Sequence, residues 1–144
     1  MAKIINFDMD GTIANLYGVE NWLNYLINSD PYPYEVAKPL VNMNMLARLL
    51  NKLSKQGYLI NIISWTSRGG TEEYNEAVKK AKIKWLKTHL KSVNFDNIYV
   101  VPHGTPKHTL SSGILFDDEK NNRDNWGKGA YDETKIFEVL KAIV

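Results

Sequence analysis

Four groups of polar residues in this sequence have the types and spacing to do chemistry. Asp8 and Asp10 stand two apart and run into Gly11 and Thr12; Thr66, Ser67 and Arg68 are contiguous; Lys107 stands alone; Asp117, Asp118 and Glu119 are contiguous. Carboxylates brought together repel one another unless a cation joins them. Hard oxygen ligands suit magnesium, which keeps waters and shares its coordination with phosphate oxygens. A carboxylate can also attack phosphorus and become an acyl phosphate. A second carboxylate beside it can protonate the leaving oxygen and then activate water. Lysine and hydroxyl donors stabilise charge on a transferring phosphoryl group, and a glycine lets the chain turn sharply beside a bound anion.

The elements around these groups explain how they could meet. Lys3 to Phe7 is a short apolar run that stops at Asp8 and reads as a buried strand. Tyr58 to Trp65, Asn97 to Val101 and Gly113 to Phe116 read as three more. Between them, Asn42 to Gln56 carries Met45, Leu46, Leu49, Leu50 and Leu53 at helical steps, with Gly57 placed to cap it. Glu72 to Leu90 is a long helix with Ala77, Ala81, Trp85 and Leu86 inward. Asp132 to Ile143 closes the chain as a helix, Asp132 at its N-cap and Ile136, Phe137, Leu140 and Ile143 on its apolar face. Apolar strands alternating with helices predict an α/β fold with a mostly parallel sheet covered on both faces. Ligands of such sheets bind outside the carboxyl ends of the strands, where the polar groups fall.

The segment from about 16 to 39 is the candidate for a small cap on an otherwise single domain spanning 1–144. Glu20 to Asn28 has helical spacing, with Trp22, Leu23 and Leu26 on one side, and Asp30-Pro31-Tyr32-Pro33 is expected to break it. Trp22 is expected to pack on the core, and the tyrosines beside Pro31 and Pro33 to be more open to a ligand.

Composition bounds the remaining possibilities. Apolar residues make up 44% of the 144, enough for a core, and the net charge of +2 is too small by itself to argue for nucleic acid. With no cysteine, disulfides, thiolate metal sites and cysteine nucleophiles are excluded. The apolar run at Ile4 to Phe7 is too short for a signal-peptide core or a membrane span, so a cytoplasmic location with no membrane partner is expected. Lys79, Lys80, Lys82, Lys84, Lys87 and Lys91 share one helix and read as a solvated face. The alternative is a grip on a nucleic-acid strand, with the site processing a terminal phosphate. His103 and His108 flank Lys107 but form a weak metal pattern.

Asp8-Met9-Asp10-Gly11-Thr12 after a hydrophobic strand resembles the first motif of the haloacid dehalogenase-like superfamily. The hydroxyl after the second strand, the lysine, and the Asp117-Asp118 pair resemble the other three motifs, in order across nearly the whole chain. Within the superfamily the chain is most similar to the 5'(3')-deoxyribonucleotidases, through Thr66-Ser67 and the ten-residue step from Lys107 to Asp117. The resemblance implies a three-layer Rossmann-like fold with a reduced cap. It implies a magnesium-dependent phosphatase acting on a small phosphorylated substrate, expected to be a nucleotide. Asp8 would be the nucleophile and Asp10 the general acid and base. Asp8, the Asp10 carbonyl and either Asp117 or Asp118 would hold the metal. Lys107 and either Thr66 or Ser64 would hold the phosphate, with Ser67 and Arg68 as further substrate contacts.

Overall fold

The computed structural model describes residues 2–144. β1 (Ile4–Phe7) leads through a two-residue strand, β2 (Ala14–Asn15), into α1 (Trp22–Ile27) and α2 (Tyr32–Val36). β3 (Lys38–Pro39) pairs antiparallel with β2, so this short ribbon carries the chain into and out of the inserted segment. There follow α3 (Met43–Lys55), β4 (Leu59–Trp65), α4 (Glu72–His89), β5 (Asn97–Val101), β6 (Ile114–Phe116), α5 (Lys120–Trp126), β7 (Ala130–Tyr131) and α6 (Ile136–Ile143).

Five strands form one sheet in the order β5-β4-β1-β6-β7, and every pairing in it is parallel. The fold is α/β, a sheet flanked by helices in a Rossmann-like three-layer arrangement. Burial explains why the strands lack a polar alternation: Ile60 to Ser64 are buried at every position, so both faces of β4 are covered. The chain builds outward from β1 to β4 and β5, then returns to the other side of β1 for β6 and β7. That reversal opens a crevice at the carboxyl ends of β1 and β6, above which Asp8 and Asp117-Asp118 emerge.

An amide ladder, buried at Asn6 and Asn61 and exposed at Asn97, holds the register. Asn97 Nδ2 donates to Asn61 Oδ1 at 3.2 Å, and Asn61 Nδ2 donates to Asn6 Oδ1 at 3.1 Å. Asn6 Nδ2 then donates to the Ile114 carbonyl at 2.9 Å. A slip of one residue would leave the buried Asn6 and Asn61 amides unpaired, at a cost of about 1–3 kcal/mol each.

Several boundaries depart from the sequence expectation. The chain does leave α1 at Ile27, ahead of Asp30-Pro31-Tyr32-Pro33, but the same prolines start an unexpected second helix: Pro31 is the N-cap of α2 and Pro33 sits in its first turn, where a missing N–H costs nothing. In α1 no residue is fully buried, and Leu23 is turned outward at 51% exposed. Asp132 caps a 3-10 turn that precedes α6, accepting from the Thr134 N–H at 2.9 Å. Among the described residues no helix is long and apolar enough to cross a membrane.

Candidate active site

Asp8 is the last residue that the sheet holds, its N–H donating to the Phe116 carbonyl of β6 at 2.9 Å. The chain then folds back on itself, with the N–H groups of Thr12, Ile13 and Ala14 at 3.1, 3.0 and 2.9 Å from the Met9 carbonyl. Gly11 makes the turn at φ +80°, and a Cβ there would collide with the Asp118 carboxylate. Glycine therefore serves both the left-handed conformation and the close approach of two loops.

Lys107 reaches into this turn from a 3-10 helix before β6. It is only 3% exposed, and its Nζ lies 3.0 Å from Asp8 Oδ1 and 2.7 Å from Asp117 Oδ2. Burial alone would lower its pKa, but the charges of Asp8 and Asp117 outweigh that and raise it to about 12. Thr12 links the acidic groups on the other side. Its hydroxyl is 3.1 Å from Asp8 Oδ2 and 3.2 Å from Asp118 Oδ1, and it accepts from the Asp118 N–H at 3.2 Å. One hydroxyl proton is thus shared between two carboxylates that otherwise face each other.

Asp117 and Asp118 divide the work. Asp117 Oδ2 also accepts from Asn122 Nδ2 at 3.1 Å, and its Oδ1 accepts from the Glu119 N–H at 2.9 Å. Both its oxygens are therefore occupied by protein donors. Burial, then the charge of Asp8, raises its pKa to about 6 against the pull of Lys107. Asp118 has no such cation: burial and the neighbouring Asp8 raise it to about 8. Asp8, Asp117 and Asp118 each offer an oxygen within 4.8 Å of the others. This donor set fits a hard divalent cation: among the described residues Asp118 Oδ2 takes no protein donor and each Asp8 oxygen takes one, Lys107 or Thr12, against three donors on Asp117.

Asp10 has a partner that the lysine pattern concealed. Lys82 is not part of a solvated face: it is 1% exposed, and its Nζ lies 2.9 Å from Asp10 Oδ2, 2.6 Å from Ser64 Oγ and 2.8 Å from the Trp65 carbonyl. The reason is helical phase, since Val78, Ala81, Trp85 and Leu86 are buried on the same side of α4. Burial, opposed by Lys82 and aided by Asp8, leaves the Asp10 pKa raised.

Asp8, Asp10, Thr66, Ser67, Arg68 and Lys107 all line one cavity of about 200 Å³. Ser64 does not line it; its hydroxyl is turned to Lys82, and Thr66 is the hydroxyl residue at the cavity. Arg68 is exposed and Ser67 half-buried. His103 reaches the cavity, with its ring 4.8 Å from that of Trp65, whereas His108 does not. Aromatic rings line the cavity as well: Tyr17, Trp22 and Tyr34 from the inserted segment, and Trp65 from β4, whose ring centre is 5.3 Å from Lys107 Nζ. Trp22 packs edge-on against Tyr17 at 5.1 Å rather than into the core. Tyr34 is the buried tyrosine of the segment, with Leu16, Tyr74, Val78 and Ala81 around it. Tyr25 and Tyr32 meet each other at 5.1 Å, away from the cavity.

Sequence reasoning passed over Lys82, Asn122 and the carboxylate-bridging role of Thr12. The four-residue step from Val78 and the three-residue step to Trp85 would have put Lys82 on the buried face. Asn122 carries no such signal.

No protein-family model matches the chain, and no curated protein matches its sequence.

Proposed function

We propose that this protein is a divalent-cation-dependent phosphomonoesterase of the haloacid dehalogenase-like kind, with Asp8 as the phosphoryl acceptor. The observation that carries the reading is the buried contact between Lys107 and Asp8 Oδ1. A carboxylate at the floor of a cavity, with a fixed ammonium against it, is arranged to receive an anion that the carboxylate alone would repel.

In the first half-reaction an Asp8 carboxylate oxygen attacks phosphorus and the bond from phosphorus to the leaving oxygen breaks. Protonated Asp10 gives its proton to that oxygen, so the product leaves as an alcohol. In the second, Asp10 takes a proton from water as the water oxygen attacks the acyl phosphate. The bond from phosphorus to the Asp8 oxygen breaks, inorganic phosphate leaves, and Asp10 is again protonated. Lys107 and the Thr66 hydroxyl supply fixed donors to the phosphoryl oxygens. A magnesium ion held by Asp8, Asp118 and the Asp10 carbonyl would neutralise charge on the phosphate when bound.

The aromatic wall favours a nucleotide as substrate. Tyr17, Trp22 and Trp65 stand around the same cavity as Asp8 and are less buried than Tyr34, and flat π-faces accept any base by stacking. The nucleic-acid reading draws less support, because Lys82 is turned inward and the lysine row loses a member.

The test is release of inorganic phosphate from p-nitrophenyl phosphate and from nucleoside monophosphates, with and without magnesium. Release should require the metal, and Asp8→Asn should abolish it while leaving the circular dichroism spectrum unchanged. A fully active Asp8→Asn variant would overturn the reading.

A further inference from the structure

Lys82 is a buried cation that the hydrolytic steps do not themselves use, and its environment is unusually complete. A lysine ammonium has three protons. Each of the three acceptors around Lys82 lies within hydrogen-bond distance, at 2.9 Å for Asp10 Oδ2, 2.6 Å for Ser64 Oγ and 2.8 Å for the Trp65 carbonyl. Its remaining side faces the Tyr34 ring, 5.1 Å from the ring centre. Ser64 and Trp65 belong to β4, the strand beside β1, so the ammonium is referenced to the sheet itself rather than to a loop.

Asp10 is anchored at one oxygen and open at the other. Its Oδ2 takes Lys82, while among the described residues no protein donor reaches Oδ1. The side chain is 18% exposed and lines the cavity that holds Asp8. Asp10 follows the strand by three residues and sits in a turn. Without a second attachment its carboxyl could rotate away from the cavity.

We propose that Lys82 is a positioning residue for Asp10: it pins Oδ2 to β4 so that Oδ1 faces the leaving-group side of the cavity. The inference rests on the phosphomonoesterase reading, since it concerns the group that delivers the proton there. It also joins the inserted segment to the same anchor, because Tyr34 of α2 covers the ammonium. One turn along α4, Trp85 Nε1 donates to the Ala37 carbonyl at 2.7 Å. The wall that meets the leaving group and the acid that protonates it are thus fixed by neighbouring turns of one helix.

The test uses leaving groups of different basicity. A poor leaving group needs the proton from Asp10, whereas p-nitrophenolate departs largely without it. The value of kcat/KM reports the steps through departure of the leaving group. In Lys82→Met it should fall by about 100-fold or more for an alkyl phosphate, within the range general-acid catalysis supplies. For p-nitrophenyl phosphate it should change only a few-fold, so the dependence on leaving-group pKa across a series of phosphate esters steepens. Ser64→Ala, which removes one acceptor and keeps the ammonium, should steepen it to a lesser degree and keeps the proposal open to refutation if Lys82→Met fails to fold. An unchanged dependence in a folded variant, or an equal loss on every ester, overturns the positioning role while leaving the hydrolase reading intact. Absence of hydrolysis by the unaltered protein on every ester overturns both.

Discussion

Lys107 and Asp117 form an ion pair closed off from water, with Nζ 2.7 Å from Oδ2 at the end of β6. Asp117 also receives Asn122 and the Glu119 N–H through its carboxylate, and Arg123 Nη1 through its carbonyl at 3.0 Å. It therefore organises the junction of β6 and α5 as well as the site. Removing one partner of a buried pair strands the other charge, so Asp117→Ala should lower stability by about 3–5 kcal/mol. Urea unfolding of the two proteins checks this, and a loss below about 1 kcal/mol, the scale of an ordinary surface pair, would show that the pair is not sealed from water.

Asp118 should behave in the opposite way. It faces Asp8 with only the Thr12 hydroxyl between them, so Asp118→Asn removes a repulsion rather than a bond. The metal-free variant should melt no lower than its parent. Magnesium stabilises a protein that binds it only when folded, by about 2.7 kcal/mol at one hundred times the dissociation constant. The rise in Tm on adding magnesium should be present in the parent and largely lost in Asp118→Asn. Equal rises in the two would take Asp118 out of the metal site.

Trp22 offers a test of the substrate class. It lies on α1, where no residue is fully buried, and reaches the cavity beside Tyr17. Loss of one stacking face costs about 1–3 kcal/mol per base. Trp22→Ala should raise KM for a nucleoside monophosphate by about 10-fold and leave KM for a small non-aromatic phosphate ester nearly unchanged. A parallel rise for both would mean that the tryptophan shapes the cavity without reading a base.

The exposed lysines of α4 test the competing role. Lys80, Lys84 and Lys87 point to solvent, unlike Lys82. Replacing all three by Gln should leave hydrolysis of small esters unchanged, with each substitution worth no more than about 0.5 kcal/mol of stability. Salt-dependent oligonucleotide binding by the parent that disappears in the triple variant would instead favour a nucleic-acid substrate.

What could be read in the sequence depended on how loudly each element announces itself. The run Ile4 to Phe7 ending at Asp8 is legible because an apolar strand that stops on a carboxylate has few other readings, and β4 and α3 are legible by the same density of apolar residues. α5 is not, because Lys120 to Trp126 is polar almost throughout and buries only Asn122, so no periodicity marks it. β7 has two residues, and its place at the sheet edge comes from pairing with β6 rather than from its own pattern. Lys82 is hidden differently: the five lysines around it give the helix the composition of a wet face, while its helical phase with Val78 and Trp85 puts it on the buried one. Ser64 and Thr66 could not be told apart without the structure, because they lie two apart where β4 ends, and only the fold shows Ser64 turned to Lys82 and Thr66 lining the cavity.

The central claim is that Asp8 becomes covalently phosphorylated, and mass analysis of the protein quenched in acid during turnover of p-nitrophenyl phosphate tests it most directly. The expected result is a phosphoryl adduct on the peptide containing Asp8, absent without magnesium and absent in Asp8→Asn. Sustained phosphate release by a protein that never carries that adduct, or carries it on another residue, would contradict the claim.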